Sequence, residues 1–242
     1  AWQRTLHENG WGAILWPREF GGRGLGPIEA IIWNQELVRV GLGESIFVVG
    51  TAMAGPTIIA HGTPEQKSRY LEPLARGDEI WCQLFSEPGA GSDLAALSAR
   101  AVRDGDPRQP AESDSWVING QKIYTTHAHD ADYIWLAART DTEVPKHKGI
   151  TIILVPTSSP GFSVTPIHTL GGERTNATYY EDVRVPVANT IGPVNGGWSL
   201  ITSQLNHERI TLATPGVADR ALDEVWGWAM KTEKPGGGRI ID

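Results

Sequence analysis

The run WCQLFSEPGAGSD, residues 81–93, holds the residue types most suited to chemistry. An apolar, strand-like stretch ends in Leu84, Phe85 and Ser86. It breaks into a turn through Pro88, Gly89 and Gly91, then closes on Ser92 and Asp93. Such a turn offers bare backbone N–H groups and two hydroxyls at the end of a strand. A ligand rich in carbonyls and phosphates fits it, because glycine lets the ligand approach the main chain. An ordinary hairpin turn has the same composition, and this run alone leaves both readings open.

Three further segments narrow the choice. Asn119-Gly120 is a tight-turn signal, and the aromatic and hydroxyl run Lys122-Ile123-Tyr124-Thr125-Thr126 follows at once. Residues 179–186 read YYEDVRVP, in which Glu181, Asp182 and Arg184 form the polar face of an edge strand that Pro186 ends. An amphipathic helix then carries Asn206, His207, Glu208 and Arg209. On that helix Trp198, Ile201, Leu205 and Leu212 share one face, and at about 100° per residue Glu208 falls in the same apolar arc. Burial there raises a carboxyl's pKa and suits it to take a proton near neutrality. A structural ion pair with Arg174 or Arg184 is the competing reading of the same position. Arg209 reads equally as a ligand contact and as a solvated helix charge. His127, His129 and Asp130 stand close together without a third ligand at metal spacing, so no metal site is expected.

The elements that must position these residues change period twice. Ile28, Ile31, Ile32 and Val38 recur at helical spacing, and Trp16 to Gly22 reads as a loop. Thr63-Pro64-Glu65-Gln66 starts a helix with Thr63 as N-cap and Gln66 closing a capping box. That helix buries Tyr70, Leu71 and Leu74 and stops near Gly77. Short runs rich in Ile, Val, Tyr, Thr and Trp follow at 80–86, 97–103, 115–119, 122–126, 133–139, 149–155 and 177–185. Their spacing predicts an antiparallel sheet or small barrel. Residues 104–114 read as a solvated loop, and helices return at 198–213 and 217–230 around Pro215. The expected class is α+β: an N-terminal helical domain over 1–78, a central antiparallel β-barrel-like domain over 79–193, and the start of a C-terminal helical bundle over 194–242.

The 242 residues are 40% hydrophobic, enough for one or two packed domains, with a net charge of −7. The acidic balance argues against nucleic acid as a partner. No apolar run is long enough for a transmembrane helix, so no membrane partner is expected. Cys82 is the single cysteine, which excludes an internal disulfide and fits a soluble, reducing, cytoplasmic setting. Ten tryptophans are read mainly as core and interface residues.

Taken together, E-P-x-A-G-S-D at 87–93, N-G-x-K-x-[WY]-x-[ST] at 119–126, E-D-V-x-V-P at 181–186 and L-x-x-E-R at 205–209 resemble the acyl-CoA dehydrogenase family over nearly the whole chain. The flavour is that of actinobacterial-type enzymes acting on branched or steroid side-chain thioesters. The resemblance implies FAD as cofactor and an acyl-CoA thioester as substrate, dehydrogenated between Cα and Cβ to the trans-2-enoyl-CoA. It implies electron-transfer flavoprotein as the electron acceptor and a homo- or hetero-tetramer. It places Glu208 as the base. Leu84, Phe85, Ser86, Gly91, Ser92, Tyr124, Thr125 and Thr126 are placed around the cofactor, and Ser92, Asn206 and Arg209 around the substrate. Tyr124 stands where the family commonly has Trp, and Asn206 where it often has Asp. The resemblance also implies a fragment lacking part of the N-terminus and most of the C-terminal helical domain, inactive by itself. Two other readings stay within the fold: a non-catalytic partner subunit of a heteromeric dehydrogenase, and a flavin-dependent monooxygenase.

Overall fold

The computed structural model describes residues 1–42, 45–105, 114–212 and 216–241, and the side chains of 207–212 lie outside the description. The N-terminal part is helical: α1 (Trp2–Glu8), α2 (Pro27–Arg39), a π-helical turn (Val49–Ala54), α3 (Gly55–His61) and α4 (Pro64–Arg76). Helix α4 begins as its sequence dictates. The Thr63 hydroxyl accepts from the Gln66 N–H at 3.2 Å, and the Gln66 side chain accepts from the Thr63 N–H at 3.0 Å. It ends at Gly77 in the left-handed region, φ 72°. Leu71 and Leu74 are buried, with Tyr70 packed against the same core. In the Trp16–Gly22 loop, a Cβ on Gly22 would stand 2.0 Å from the Trp16 carbonyl oxygen, so glycine is required there for turn geometry. Helix α2 forms where its isoleucines predict. However, Ile28, Ile31 and Ile32 face outward, and only Ala30 and Val38 on that helix are buried.

Eight strands follow: β1 (Trp81–Leu84), β2 (Arg100–Asp104), β3 (Ser115–Lys122), β4 (Tyr133–Arg139), β5 (Ile150–Pro156), β6 (Phe162–His168), β7 (Arg174–Pro186) and β8 (Thr190–Ile191). They form one sheet in the order β6-β7-β3-β2-β4-β5-β8, with β1 added alongside β4. The sheet is mostly antiparallel, and the β1–β4 pair is parallel. Parallel pairing requires cover on both faces, and β4 and β5 have it. Trp135 and Ala137 of β4, with Ile150, Ile152 and Leu154 of β5, pack toward the helices. Ile134, Leu136, Ala138, Ile153 and Val155 fill the inside of the curved sheet with Trp116, Ile118 and Val183. That double burial explains why these strands read as unbroken apolar runs.

The sheet departs from the sequence expectation in three places. Asn119-Gly120 is not a hairpin turn; it lies inside β3, at a register shift between Ile118 and Gly120. Gly120 adopts φ 145° there, and a Cβ would stand 2.6 Å from the Ala99 Cα, so the glycine serves a close approach of two backbones. The expected strand over 122–126 ends at Lys122, and Tyr124 to Asp130 form a turn. Strand β6 falls outside the predicted runs because Pro166 and alternating exposed residues dilute its pattern. The polar end of β7 is an edge, as expected: beyond Tyr180 it pairs only with β3.

Helices α5 (Gly197–Leu212) and α6 (Gly216–Lys231) close the chain. Ile201 is buried in the helix-facing core, with Trp198 and Leu205 packed against it. The expected loop residues 106–113 and the break at Thr214-Pro215 lie outside the described residues. No described helix is long and apolar enough to cross a membrane.

Candidate functional site

Two turns meet at one edge of the sheet. The first, Ser86 to Asp93, leaves the end of β1, and Glu87 and Ala90 exchange both backbone hydrogen bonds, at 2.9 and 3.0 Å. The second, Ile123 to Asp130, leaves the end of β3. The Ile123 N–H donates to the Ser86 carbonyl at 3.0 Å, which docks one turn on the other. Beneath that contact lies a buried ion pair that the sequence reading did not single out. The Lys122 ammonium, fully buried, donates to Glu87 Oε1 at 2.8 Å and to the Phe85 carbonyl at 3.1 Å.

Every lone pair direction of the Glu87 carboxylate is used. Oε1 also accepts from the Ala99 N–H at 2.8 Å, and Oε2 accepts from the Ser98 N–H and hydroxyl, both at 2.7 Å. Burial pushes the Glu87 carboxyl upward. The Lys122 charge and the donated hydrogen bonds outweigh it and hold Glu87 below the usual carboxylate range. Burial lowers Lys122 to about 8 against the attraction of Glu87, so the pair is ionic at neutral pH. Both residues stand in the motifs themselves. The available signal was parity: Lys122 follows Trp116 and Ile118 along an inward-facing strand, where a charge requires a partner.

The expected cofactor residues fall into two groups around this edge. The Leu84 side chain lies inside the sheet's core and the Phe85 side chain in the helix-facing core, on opposite faces and both buried. A ligand at this edge therefore meets Leu84 and Phe85 through their backbone. Ser86 is partly exposed, and Gly91, Ser92 and Thr126 are exposed. Tyr124 is 67% exposed with φ 61°, a flat ring held out from the fold rather than a core residue. Thr125 turns inward between them, and its buried hydroxyl has no partner among the described residues. A Cβ on Gly91 or Gly89 would meet nothing within 4 Å. None of the described hydrogen bonds uses the Gly91 or Ser92 N–H. The edge therefore presents an exposed ring, hydroxyls and unclaimed backbone donors, which suit a planar heterocycle with a phosphate tail.

Helix α5 approaches the same region through β1. Gln204, buried, donates to the side chain of Gln83 in β1. Position 208 lies on the same helix face, one turn further and about 6 Å along the axis. The side chains of Glu208 and Arg209 lie outside the described residues, and Asn206 is exposed. Both arginines weighed as structural partners bond elsewhere. Arg184 pairs with Asp104, and Arg174 donates to Asn176 Oδ1 at 3.0 Å. His127 and His129 both approach Asp130, at 3.9 and 3.2 Å, within the second turn. Among the described residues no cluster of three metal-ligating side chains occurs. Cys82 is sealed in the sheet's core, and burial pushes its thiol far up, so it is a packing group.

Comparison with known proteins agrees with this arrangement. The acyl-CoA dehydrogenase N-terminal domain pattern matches residues 1–78, the middle domain pattern 82–183 and the C-terminal domain pattern 195–242. The chain is 46% identical over 240 residues to acyl-CoA dehydrogenase FadE26 of Mycobacterium tuberculosis, covering 98% of this chain and 58% of that protein. It is 35% identical over 214 residues to the human mitochondrial short-chain specific enzyme, covering 86% of this chain and 50% of that protein. Among solved structures, the ChsE4-ChsE5 complex from Mycobacterium tuberculosis superposes with a TM-score of 0.85 at 45% identity, covering 99% of this chain and 60% of that one. A steroid ACAD, Tcur3481-Tcur3483, superposes with a TM-score of 0.85 at 48% identity, covering 97% and 59%. The chain thus spans half to three fifths of the length of these relatives. Three adjoining domain patterns in family order, over a sheet whose two motif turns dock at one edge, establish that this chain belongs to the acyl-CoA dehydrogenase family.

Proposed function

We propose that the parent protein is an oxidoreductase that dehydrogenates an acyl-CoA thioester between Cα and Cβ, giving the trans-2-enoyl-CoA. FAD would be its cofactor and electron-transfer flavoprotein its electron acceptor. The observation that carries this reading is the docking of the 86–93 turn on the 123–130 turn, through Ile123 to Ser86 and Lys122 to Glu87. Family membership supports the oxidoreductase class. Resemblance to a steroid ACAD supports a bulky acyl group. Two of the similar structures bear the names of two gene products each, which supports a hetero-oligomeric assembly. We read residues 1–78, 79–193 and 194–242 as the three units of the family's architecture and place the protein in the cytoplasm.

The residues present fit FAD. Tyr124 offers a wall for the ring, and Ser86 and Thr126 offer hydroxyls at its polar edge, while Thr125 contributes by holding the turn from inside. Gly91 and Ser92 offer main-chain donors for the phosphates. Bound FAD supplies the acceptor for the electron pair and hydrogen lost from Cβ. This chain's part is the proton: the Glu208 carboxylate takes it from Cα. Ser92, Asn206 and Arg209 hold the CoA moiety. Donors aimed at the thioester oxygen, worth about 3–4 kcal/mol each in comparable sites, stabilise the charge that develops there. The second reading, a partner subunit without catalytic chemistry, predicts that Glu208 is dispensable.

The test is Glu208→Gln in the full-length holoenzyme. The expected result is a loss of about 100- to 10,000-fold in turnover, the usual worth of a general base, with the flavin absorbance spectrum unchanged. Turnover within a few-fold of wild type would exclude Glu208 as the base.

A further inference from the structure

The second turn carries an energetic burden that the family pattern does not explain. Tyr124 and His127 both sit at φ 61°, a left-handed backbone that disfavours any residue with a Cβ. Neighbouring structure must hold the turn there. The chief anchor is Asn176, a fully buried residue of β7.

Asn176 makes four hydrogen bonds in one place. Its Oδ1 accepts from Arg174 Nε at 3.0 Å, which fixes the amide's orientation. Its Nδ2 is therefore turned toward the loop, where it donates to the Thr125 carbonyl at 2.8 Å and to His129 Nδ1 at 3.1 Å. Its own carbonyl accepts from the Thr125 N–H at 2.9 Å. The network also assigns the imidazole: His129 Nδ1 is the acceptor, and the proton sits on Nε2, facing Asp130 at 3.2 Å. Thr125 is thus bonded on both its amide and its carbonyl to one residue, and its side chain is locked inward. Its neighbours Tyr124 and Thr126 are thereby turned out to the exposed edge. His129, four residues on, is the second leg that closes the arch.

We propose that Asn176 is the positioning residue for the flavin-facing turn, with His129 as its second anchor. Asn176 touches neither cofactor nor substrate. It acts by holding the Tyr124 ring and the Thr126 hydroxyl in the geometry that receives the isoalloxazine. The inference rests on the functional reading above for what the turn receives, and on the four bonds for how the turn is held.

The test uses the full-length protein with Asn176→Ala, Asn176→Asp and His129→Ala. Asn176→Asp keeps the acceptor for Arg174 and loses both donors to the loop. In the flavin-free protein, hydrogen exchange over 123–130 should quicken about tenfold or more in both Asn176 variants, with β4 protected as in wild type, as expected for a lost buried hydrogen bond. FAD, followed by flavin fluorescence, should then bind about tenfold more weakly. His129→Ala, which removes an outer leg only, should show the same pattern at about a third of that size. If neither Asn176 variant folds, His129→Ala alone decides. Unchanged exchange over 123–130, or faster exchange spread evenly over the protein, overturns the proposal. A loop that loosens while FAD affinity stays constant also overturns it. Wild-type protein that binds no FAD would instead refute the functional reading, and the exchange data would still report on the anchor.

Discussion

The two turns that build the candidate site stand side by side and are held by different physics. The 86–93 turn rests on a charge, the Glu87 carboxylate, buried and closed by Lys122, Ser98 and Ala99. The 123–130 turn rests on a neutral amide, Asn176, with no charge at its centre. A buried charge is costly to strand and responds to pH; a neutral hub is costly only by the bonds it loses. One edge of the sheet thus combines an anchor centred on an ionised group with one centred on Asn176, an amide that does not itself titrate.

The largest effect should come from stranding the charge. Lys122→Ala leaves Glu87 ionised in a buried setting without its counter-ion. The expected loss is about 3–5 kcal/mol of unfolding free energy in the full-length protein, by denaturant titration. The double variant Lys122→Met, Glu87→Gln removes both charges and should recover most of it. A single-variant loss under about 1 kcal/mol would mean that the ion pair does not hold the turn.

Next in size is a test of how closely the two turns are coupled. Gly120 sits at φ 145° against the Ala99 backbone, and the Ala99 N–H is one of the Glu87 donors. Gly120→Ala should cost about 1–3 kcal/mol through strain and through a push on that donor. If the strain alone acts, the cost is the same in the Glu87→Gln background. If the push reaches the carboxylate, the two costs are non-additive.

The sequence made the fold class, the α4 cap and most strands legible because these are local. A capping box needs four residues and a strand needs alternation. The site was legible as two motifs but not as one edge, since nothing local reveals that Ile123 docks on Ser86. Asn119-Gly120 misled because the same dipeptide serves a hairpin and a bulge, and only the pairing of β3 with β7 distinguishes them. Asn176 was invisible because an asparagine among Thr175, Ala177 and Thr178 resembles any polar strand residue. Its role depends on partners 47 and 51 positions away in the chain.

Acid should weaken the charged anchor. The native Glu87 carboxyl is held below its ordinary value of 4.5, so on acidification the unfolded chain takes up the proton first. The unfolded state then binds more protons, and the stability that Glu87 contributes above about pH 4.5 is lost as pH falls through the native value. Stability curves of wild type and of the double variant should therefore converge below pH 4.5. Curves that stay parallel down to pH 3 would show that Glu87 titrates alike in both states.

The smallest effect provides the neutral control, far from the site. Gln66 resembles Asn176 in kind: it is buried, it closes the Thr63 cap, and its Nδ-equivalent nitrogen, Nε2, donates to the Ala188 and Thr190 carbonyls at 2.9 and 2.8 Å. These bonds tie the helical layer to the start of β8 and the segment before it. Thr63→Ala removes one acceptor from this hub and should cost about 1 kcal/mol, as other N-cap losses do. The Glu65 N–H and, after it, the Thr63 hydroxyl hold the Glu65 carboxyl below its ordinary value, so the neutral hub is read where Glu65 stays ionised, and there the cost should be the same at pH 6 and pH 8. A cost that changes between pH 6 and pH 8 would show that a titrating group takes part in this hub, and the contrast between charged and neutral anchors would then need another cause.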